Sequence, residues 1–404
     1  MNILYCCLGD FRAPPGARQM LLGARALAER GHHCLLLVEG DPDTIRLVRG
    51  GRGEVTLDRF EFRGPWLARR TRALARDFRP DLVHVYEPRT APLRAGLTLA
   101  SEADVPLCIR FADDDETLFR EAGGHGWRRG LGRPALMVAG AMFPRLWPYK
   151  HPLWYRLMLR RAAAFDAIAP ELAREITRRY AVACTSILPA VPPFEAPFRA
   201  QGESGVRERL GLPTEARLLV FTGSVFRPHF DDFALLLRAF GIVADQEHDI
   251  HLVHTGRIAE RYRPEELRAL ARDGSERVHL LGFLEDPDDV DRLLLEAAVL
   301  VQPGAPTDFN RLRLPAKVHD YLLTGRPVVT FAAGFGELLD DGREAVLTRS
   351  ARPEELAGAV QSLLADQARA AEIGRRGQTR AETLFEPRQV AKEFEGYYIQ
   401  ALTG

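Results

Sequence analysis

The chain has 404 residues, 55 Lys+Arg against 55 Asp+Glu, and 46% hydrophobic residues. That length exceeds what one hydrophobic core organises, so two domains are expected. A formal net charge of zero leaves no basic excess for a nucleic-acid partner. Aromatics at 8% and charged residues at 27% exclude a disordered chain.

The start, Met1 to Leu8, reads MNILYCCL and lacks the basic n-region and cleavage site of a secretory signal. No run of about 18 uninterrupted apolar residues occurs, so no spanning helix is expected. Cys6, Cys7, Cys34, Cys108 and Cys184 show no CxxC spacing and fall mostly in apolar runs, as small buried thiols do. These features imply reducing, cytoplasmic surroundings.

In chain order, Asn2 to Leu8 reads as a strand, GDFRAPPG as a loop, and Ala17 to Arg30 as a helix with Met20, Ala24 and Leu27 on one face. Strand-like runs follow at Cys34 to Val38, Asp81 to Tyr86 and Val105 to Phe111, alternating with helical patterns at Trp66 to Phe78 and Leu93 to Glu102. Trp154 to Ala163, Glu171 to Tyr180 and Thr185 to Leu188 continue the alternation. The stretch PAVPPFEAPFRAQGESG then interrupts it and reads as a linker.

A second alternating unit begins at Leu218 to Phe221, followed by a helix bearing Phe233, Leu236, Leu237 and Phe240. Strands are expected at Ile250 to His254, Val278 to Leu281, Val299 to Gln302 and Val328 to Phe331. Helices are expected at Pro264 to Arg272, Pro287 to Leu294, Pro315 to Leu323 and Pro353 to Ala365, with proline suited to a first helical turn. The pattern predicts an α/β protein of two Rossmann-like, doubly wound domains facing each other across a cleft. The boundaries are 1–192, a linker at 193–212, and 213–385, with 386–404 crossing back to the first domain as a helix.

Two segments carry candidate chemistry. FTGSVFRPHFDD, Phe221 to Asp232, leaves a strand at Gly223 and enters a helix near His229, so backbone N–H groups and Arg227 would meet a phosphate. A glycine used only for a tight turn gives the same pattern. NRLRLPAKVHDYLLTGRPVV, Asn310 to Val329, opens a helix at Pro315 and ends it at Gly325. Lys317 there is one of only three lysines in the chain. Asp320, one turn on, is placed to accept from ribose hydroxyls or to form an ordinary surface pair with Lys317.

These motifs, with the strand-Gly at His254 to Arg257, the turn Leu281-Gly282-Phe283 and GFGELLDDGREAVLTRSARPEELAGAVQSLL, resemble family 4 glycosyltransferases of the two-Rossmann-domain (GT-B) architecture. The first half is similar more loosely, through the Pro14 to Gly16 loop, PDLVHVYE and the helix ending ERGHH. The resemblance implies sugar transfer from a nucleotide-diphosphate sugar to an acceptor hydroxyl, with retention and without a metal or other cofactor. The leaving phosphate oxygen would take the acceptor's proton. Arg227 with Lys317 or Arg257 would hold the diphosphate and Asp320 the ribose. Gly16 would allow close approach to the sugar, and Glu337 would lie near the phosphates or sugar. Gly223, Ser224, His229, Gly256, Phe283, Leu314 and Pro315 complete the implied donor site, with Arg227, Lys317 and Asp113 as catalytic candidates.

The chain departs from that pattern in three places. Leu312 stands where the family has the first of two glutamates, and Asp320 where it has the second, so Asn310 or Asp308 would substitute. Ser224, Arg227 and His229 replace the phosphate loop's usual Arg/Lys pair. The acidic run Asp113 to Glu116 replaces a histidine, and reads as a solvated loop, an acceptor contact through Asp113, or a Mg²⁺ or Mn²⁺ site; no metal is assigned.

His84 and His279 sit in apolar runs, as core histidines do. The segment 125–161 has no acidic residue and is rich in Trp, Met, Leu and Arg, which fits peripheral contact with an anionic lipid surface at the inner face of a membrane, or a helical hairpin packed on the first domain. Competing functions are a non-catalytic sugar-nucleotide-binding scaffold, a sugar-nucleotide epimerase, and a phosphorylase carrying pyridoxal phosphate.

Overall fold

The computed structural model describes residues 1–8, 15–39, 41–48, 51–60, 67–114, 117, 139–141, 143, 146, 150–194 and 205–404. The chain divides into two compact units, one of Met1–Pro192 with Leu312–Leu314 and Phe385–Gly404, the other of Pro193–Arg311 with Pro315–Leu384. Both are doubly wound parallel α/β structures.

In the first unit the strands are β1 (Asn2–Cys7), β2 (His33–Val38), β3 (Thr56–Arg59), β4 (Leu82–Tyr86), β5 (Leu107–Phe111), β6 (Ala162–Ala167) and β7 (Cys184–Ser186), in spatial order β3-β2-β1-β4-β5-β6-β7. Every residue of β4 and β5 is buried, which is why these strands read as continuous apolar runs. The helices are α1 (Pro15–Ala28), α2 (Leu67–Phe78), α3 (Thr90–Ala103), α4 (Pro152–Arg161) and α5 (Pro170–Tyr180).

In the second unit β8 (Arg217–Thr222), β9 (Ile250–Thr255), β10 (Val278–Leu280), β11 (Val299–Val301), β12 (Val328–Phe331) and β13 (Val346–Thr348) form a sheet of order β10-β9-β8-β11-β12-β13. The order reverses direction between β8 and β11, the place where doubly wound sheets open a ligand crevice outside their carboxyl ends. Its helices are α6 (Val206–Arg209), α7 (Phe230–Gln246), α8 (Pro264–Ala269), α9 (Pro287–Glu296), α10 (Asp308–Arg311), α11 (Ala316–Leu323), α12 (Pro353–Ala365) and α13 (Gln367–Leu384). Helix α7 buries Phe233, Leu236, Leu237 and Phe240, the spacing seen in the sequence.

The last helix, α14 (Pro387–Thr403), belongs to the first unit and packs Val390, Phe394 and Tyr398 into the core beside Met20, Leu21 and Leu27 of α1. A buried polar chain fastens it. Tyr398 Oη lies 3.0 Å from Tyr5 Oη and 2.9 Å from His84 Nδ1, and His84 Nε2 lies 3.0 Å from Asp166 Oδ1. Arg110 pairs with the other oxygen of Asp166 and donates to the Ile187 carbonyl at 2.9 Å. Burial pushes the His84 pKa down against the pull of Asp166. Removing one partner of such a buried pair costs about 3–5 kcal/mol.

Several elements differ from the periodicity reading. β3 reads TLDR and β13 reads VLT, edge strands too short or too polar to announce themselves. β6, AAAFDA, overlaps the end of the Trp154 to Ala163 segment; alanines that favour helix become strand because β5 and β7 pair on either side. The helix expected over Pro264 to Arg272 stops at Ala269, and a 3₁₀ turn follows at Arg272–Arg277. A helical turn, α6, lies within the stretch read as linker.

Among the described residues no helix is long and apolar enough to cross a membrane. Residues 125–138 lie outside the described residues. Within the rest of that basic segment Phe143, Leu146 and Leu153 are exposed, and the end of the segment forms α4. Cys6, Cys7, Cys34 and Cys108 are buried free thiols.

Candidate functional site

The carboxyl ends of β8, β9 and β10 converge with the start of α11. After Thr222, Gly223 takes a φ of 116°, a backbone conformation that only glycine adopts without strain. A methyl group there would stand 2.5 Å from Lys317 Nζ and would push the ammonium aside. The Lys317 ammonium therefore lies directly against the end of β8, and it sits 4.3 Å from the centre of the Phe221 ring.

Helix α11 is held in that position by its own next turn. Tyr321, four residues after Lys317 and so on the same helical face, accepts the Thr222 N–H at 2.7 Å and lies 3.0 Å from Thr222 Oγ1. Burial pushes the Tyr321 hydroxyl well above its usual pKa, so it remains a neutral hydrogen-bonding group. Pro315 is the N-cap residue of α11 and Gly325, at φ 78°, follows its C-cap. The free N–H groups and positive dipole end of this eight-residue helix open on the Lys317 side.

β9 ends in the same way. Gly256, with φ 137°, packs so closely on the first loop that a methyl group would fall 2.4 Å from the Gly223 carbonyl oxygen. Its N–H donates to the Gly282 carbonyl at 2.8 Å, and Thr255 Oγ1 donates to the same oxygen at 2.8 Å, tying β9 to the turn after β10. The Arg257 guanidinium lies 5.0 Å from the Phe283 ring centre. Val225 N–H donates to the Arg257 carbonyl at 2.7 Å, which couples the two loops. Arg227 opens a 3₁₀ turn, Arg227–His229, that leads into α7; its side chain is exposed and His229 lies against the Phe309 ring.

Gly223, Ser224, Gly256, Arg257, Phe283 and Lys317 are thus brought together as one surface. Others are placed differently. Asn310 is 1% exposed, and its amide group is spent on Asp232, at 3.3 Å from both carboxylate oxygens, and on the Ala305 carbonyl at 2.9 Å. Its NH2 braces α10 from inside, while Oδ1 is buried without a hydrogen-bond partner. Asp308 is exposed and pairs with Arg311 within one turn. Asp320 lies 3.0 Å from His319 Nδ1, so one carboxylate oxygen already has a partner. Glu337 is exposed on the 3₁₀ turn Gly334–Leu338 after β12. Leu314 and Pro315 are buried.

Gly16 and Asp113 belong to the first unit. Gly16 lies in the first turn of α1, where a methyl group would meet Glu87 Oε1 at 2.5 Å. Glu87 escaped the sequence reading. It follows β4, takes φ 58°, is 3% exposed and pairs with Arg89 at 3.1 Å. In the acidic run, Asp114 is the anchored member, receiving Arg179 at 2.8 and 3.1 Å and Thr117 Oγ1 at 2.7 Å. Asp115 and Glu116 lie outside the described residues, as does Pro14. Among the described residues no three His, Cys, Asp or Glu side chains are grouped to hold a metal ion. His84 is a core histidine with both nitrogens engaged. His279 instead stacks on His251 at the β9–β10 edge, with Nε2 3.0 Å from His251 Nδ1, and is only partly buried.

Two family models divide the chain, Glycosyltransferase Family 4 over residues 17–190 and Glycosyl transferases group 1 over residues 216–366. Among solved structures, HepE from Anabaena in complex with UDP-glucose matches with a TM-score of 0.67 at 17% identity, over 98% of this chain and 98% of that one. A glycosyltransferase from Rickettsia africae matches at TM-score 0.69 and 12% identity, over 99% and 98% of the two chains. WaaG, a glycosyltransferase involved in lipopolysaccharide biosynthesis, matches at 0.61 and 14%, over 98% and 100%. No curated protein matches the chain.

Proposed function

Because the chain is a family 4-like glycosyltransferase with the GT-B fold, we propose that it transfers a sugar from a nucleotide-diphosphate sugar to an acceptor hydroxyl. The observation that carries this reading is the seating of Lys317 against Gly223, at the point where the second sheet reverses strand order. A diphosphate there would meet the ammonium, the N-terminus of α11, and Arg257, whose guanidinium has no carboxylate partner among the described residues. HepE, bound to UDP-glucose, makes a uridine diphosphate sugar the first donor to test.

In the reaction the anomeric C–O bond to phosphate breaks while a bond from the acceptor oxygen to the anomeric carbon forms. Negative charge grows on the leaving diphosphate, where Lys317 and the helix N–H groups stabilise it. The acceptor's proton passes to the leaving phosphate oxygen and the anomeric configuration is retained, as the family resemblance implies. No divalent metal takes part in this scheme, the diphosphate charge being met by side chains. We assign the acceptor to the first unit and place the enzyme in the cytoplasm, with the acid-free stretch 125–161 and its exposed Phe143, Leu146 and Leu153 against an anionic membrane face.

A melting-temperature screen of UDP, GDP, ADP and dTDP tests the donor class, since a ligand bound only by the folded state raises the midpoint. At least one diphosphate should raise it, and EDTA should leave transfer unchanged. No shift with any of them would overturn the proposal. Binding without transfer or hydrolysis across a donor and acceptor panel would favour the scaffold reading that Leu312 raises.

A further inference from the structure

His254 stands beneath the Gly223 loop, at the start of the strand-Gly stretch His254 to Arg257, and has been given no role so far. It is fully buried near the end of β9, its ring 5.4 Å from the Phe221 ring and 4.8 Å from the Phe233 ring. Its Nε2 lies 2.9 Å from the Gly223 carbonyl oxygen. Nδ1 is buried with no hydrogen-bond partner. An apolar side chain would relieve the unpaired Nδ1 but would leave the Gly223 carbonyl without this donor.

Burial, with the nearby Lys317 charge, pushes its pKa down to about 4, so the ring is neutral at physiological pH. It then carries one proton, and because a carbonyl only accepts, that proton must sit on Nε2 for the contact to be a hydrogen bond. The consequence reaches the next peptide. In a trans peptide the N–H points opposite to the C=O, so drawing the Gly223 carbonyl toward the ring turns the Ser224 N–H away from it. That N–H has no acceptor among the described residues.

We infer that His254 is a positioning residue for the donor diphosphate: by holding the Gly223 carbonyl inward it presents the Ser224 amide N–H, beside Lys317, to a phosphate oxygen. The inference rests on the diphosphate reading above. It adds a specific device, a buried imidazole that orients one peptide plane, where a glycine loop alone would leave that plane free to turn.

The test uses the full chain and whichever of UDP, GDP, ADP and dTDP raises its melting temperature most, beside the matching nucleoside. His254→Met removes the donor at similar volume, while His254→Gln places an amide N–H where Nε2 stood. H254M should bind the diphosphate about tenfold more weakly and the nucleoside as wild type does, and H254Q should recover most of the loss. In the wild-type protein the Ser224 amide proton should move downfield on titration with the diphosphate and not with the nucleoside, a readout that stands even where H254M fails to fold. Wild-type diphosphate affinity in folded H254M, equal weakening toward the nucleoside, or an unmoved Ser224 amide would each overturn the assignment. A wild-type chain that binds none of the four diphosphates would instead remove the functional reading beneath it.

Discussion

The two ends of the second sheet make an instructive pair. At the amino ends lies a cavity of about 820 Å³, lined by four arginines, Arg217, Arg292, Arg326 and Arg375. By cation count it looks the better anion site. Its arginines are nevertheless committed: Arg217 pairs with Glu247 and Asp249, Arg292 with Asp288 and Asp289, and Arg375 with Glu372, while the Glu296 carboxylate lies near Arg326. The wall takes in the last residues of α9 and α12 and the turn after α11, whose carbonyl ends attract cations, together with the first turn of α13 from Gln367. Cations there answer helix dipoles. At the carboxyl ends there are fewer cations, yet they stand with a helix N-terminus and an unpaired amide. An amide without an acceptor and an arginine without a carboxylate partner among the described residues, more than charge count, distinguish the proposed donor end.

Lys317→Met should do most to break that contrast. Transfer should fall about 10²–10³-fold, the loss seen when one donor to developing negative charge is removed, at an unchanged melting temperature. A K317M enzyme of full activity would leave the two ends equivalent.

Acidification comes next. His254 and His279 both have folded pKa values lowered to about 4, chiefly by burial, against about 6.5 unfolded. Between those values the unfolded state binds more protons, so the stability they contribute is complete above about pH 6.5 and is lost as pH falls toward 4. For the buried His254 this amounts to on the order of 3 kcal/mol; the more exposed His279 contributes less. Urea titrations at several pH values should show the decline, and H254Q should flatten it.

Gly256→Ala sharpens the comparison sterically. Alanine at φ 137°, with its methyl 2.4 Å from the Gly223 oxygen, should cost about 1–3 kcal/mol of stability and weaken diphosphate binding, read by thermal melts and calorimetry. Arg227→Ala, at an exposed and screened side chain, should raise the donor KM about tenfold. The smallest effect is expected at the opposite end, where Arg326→Ala should alter stability by less than about 0.5 kcal/mol and leave diphosphate affinity unchanged. Loss of diphosphate affinity in R326A would overturn the distinction between the ends.

Much of the fold was legible because a parallel strand covered on both faces must be apolar throughout. LVHVY and LCIRF announce β4 and β5 for that reason. The two elements that frame the site were equally visible, Lys317 by its rarity and the α11 boundaries by Pro315 and Gly325. The packing of Asn310 was not legible because an amide in a sequence has no direction; only the fold turned its NH2 inward to Asp232. His254 was hidden for the converse reason, an ordinary strand residue whose meaning depends on a carbonyl 31 positions away.

Residue pattern alone therefore determined the layers, the two doubly wound units and the chemical types available near Gly223 and Lys317, since periodicity and chain punctuation are local properties. Tertiary packing decided which polar atoms remain unspent. A hydrogen-bond donor or acceptor is used only once its partner arrives from elsewhere in the chain, as Tyr321 arrives at Thr222 and Asp166 at Arg110.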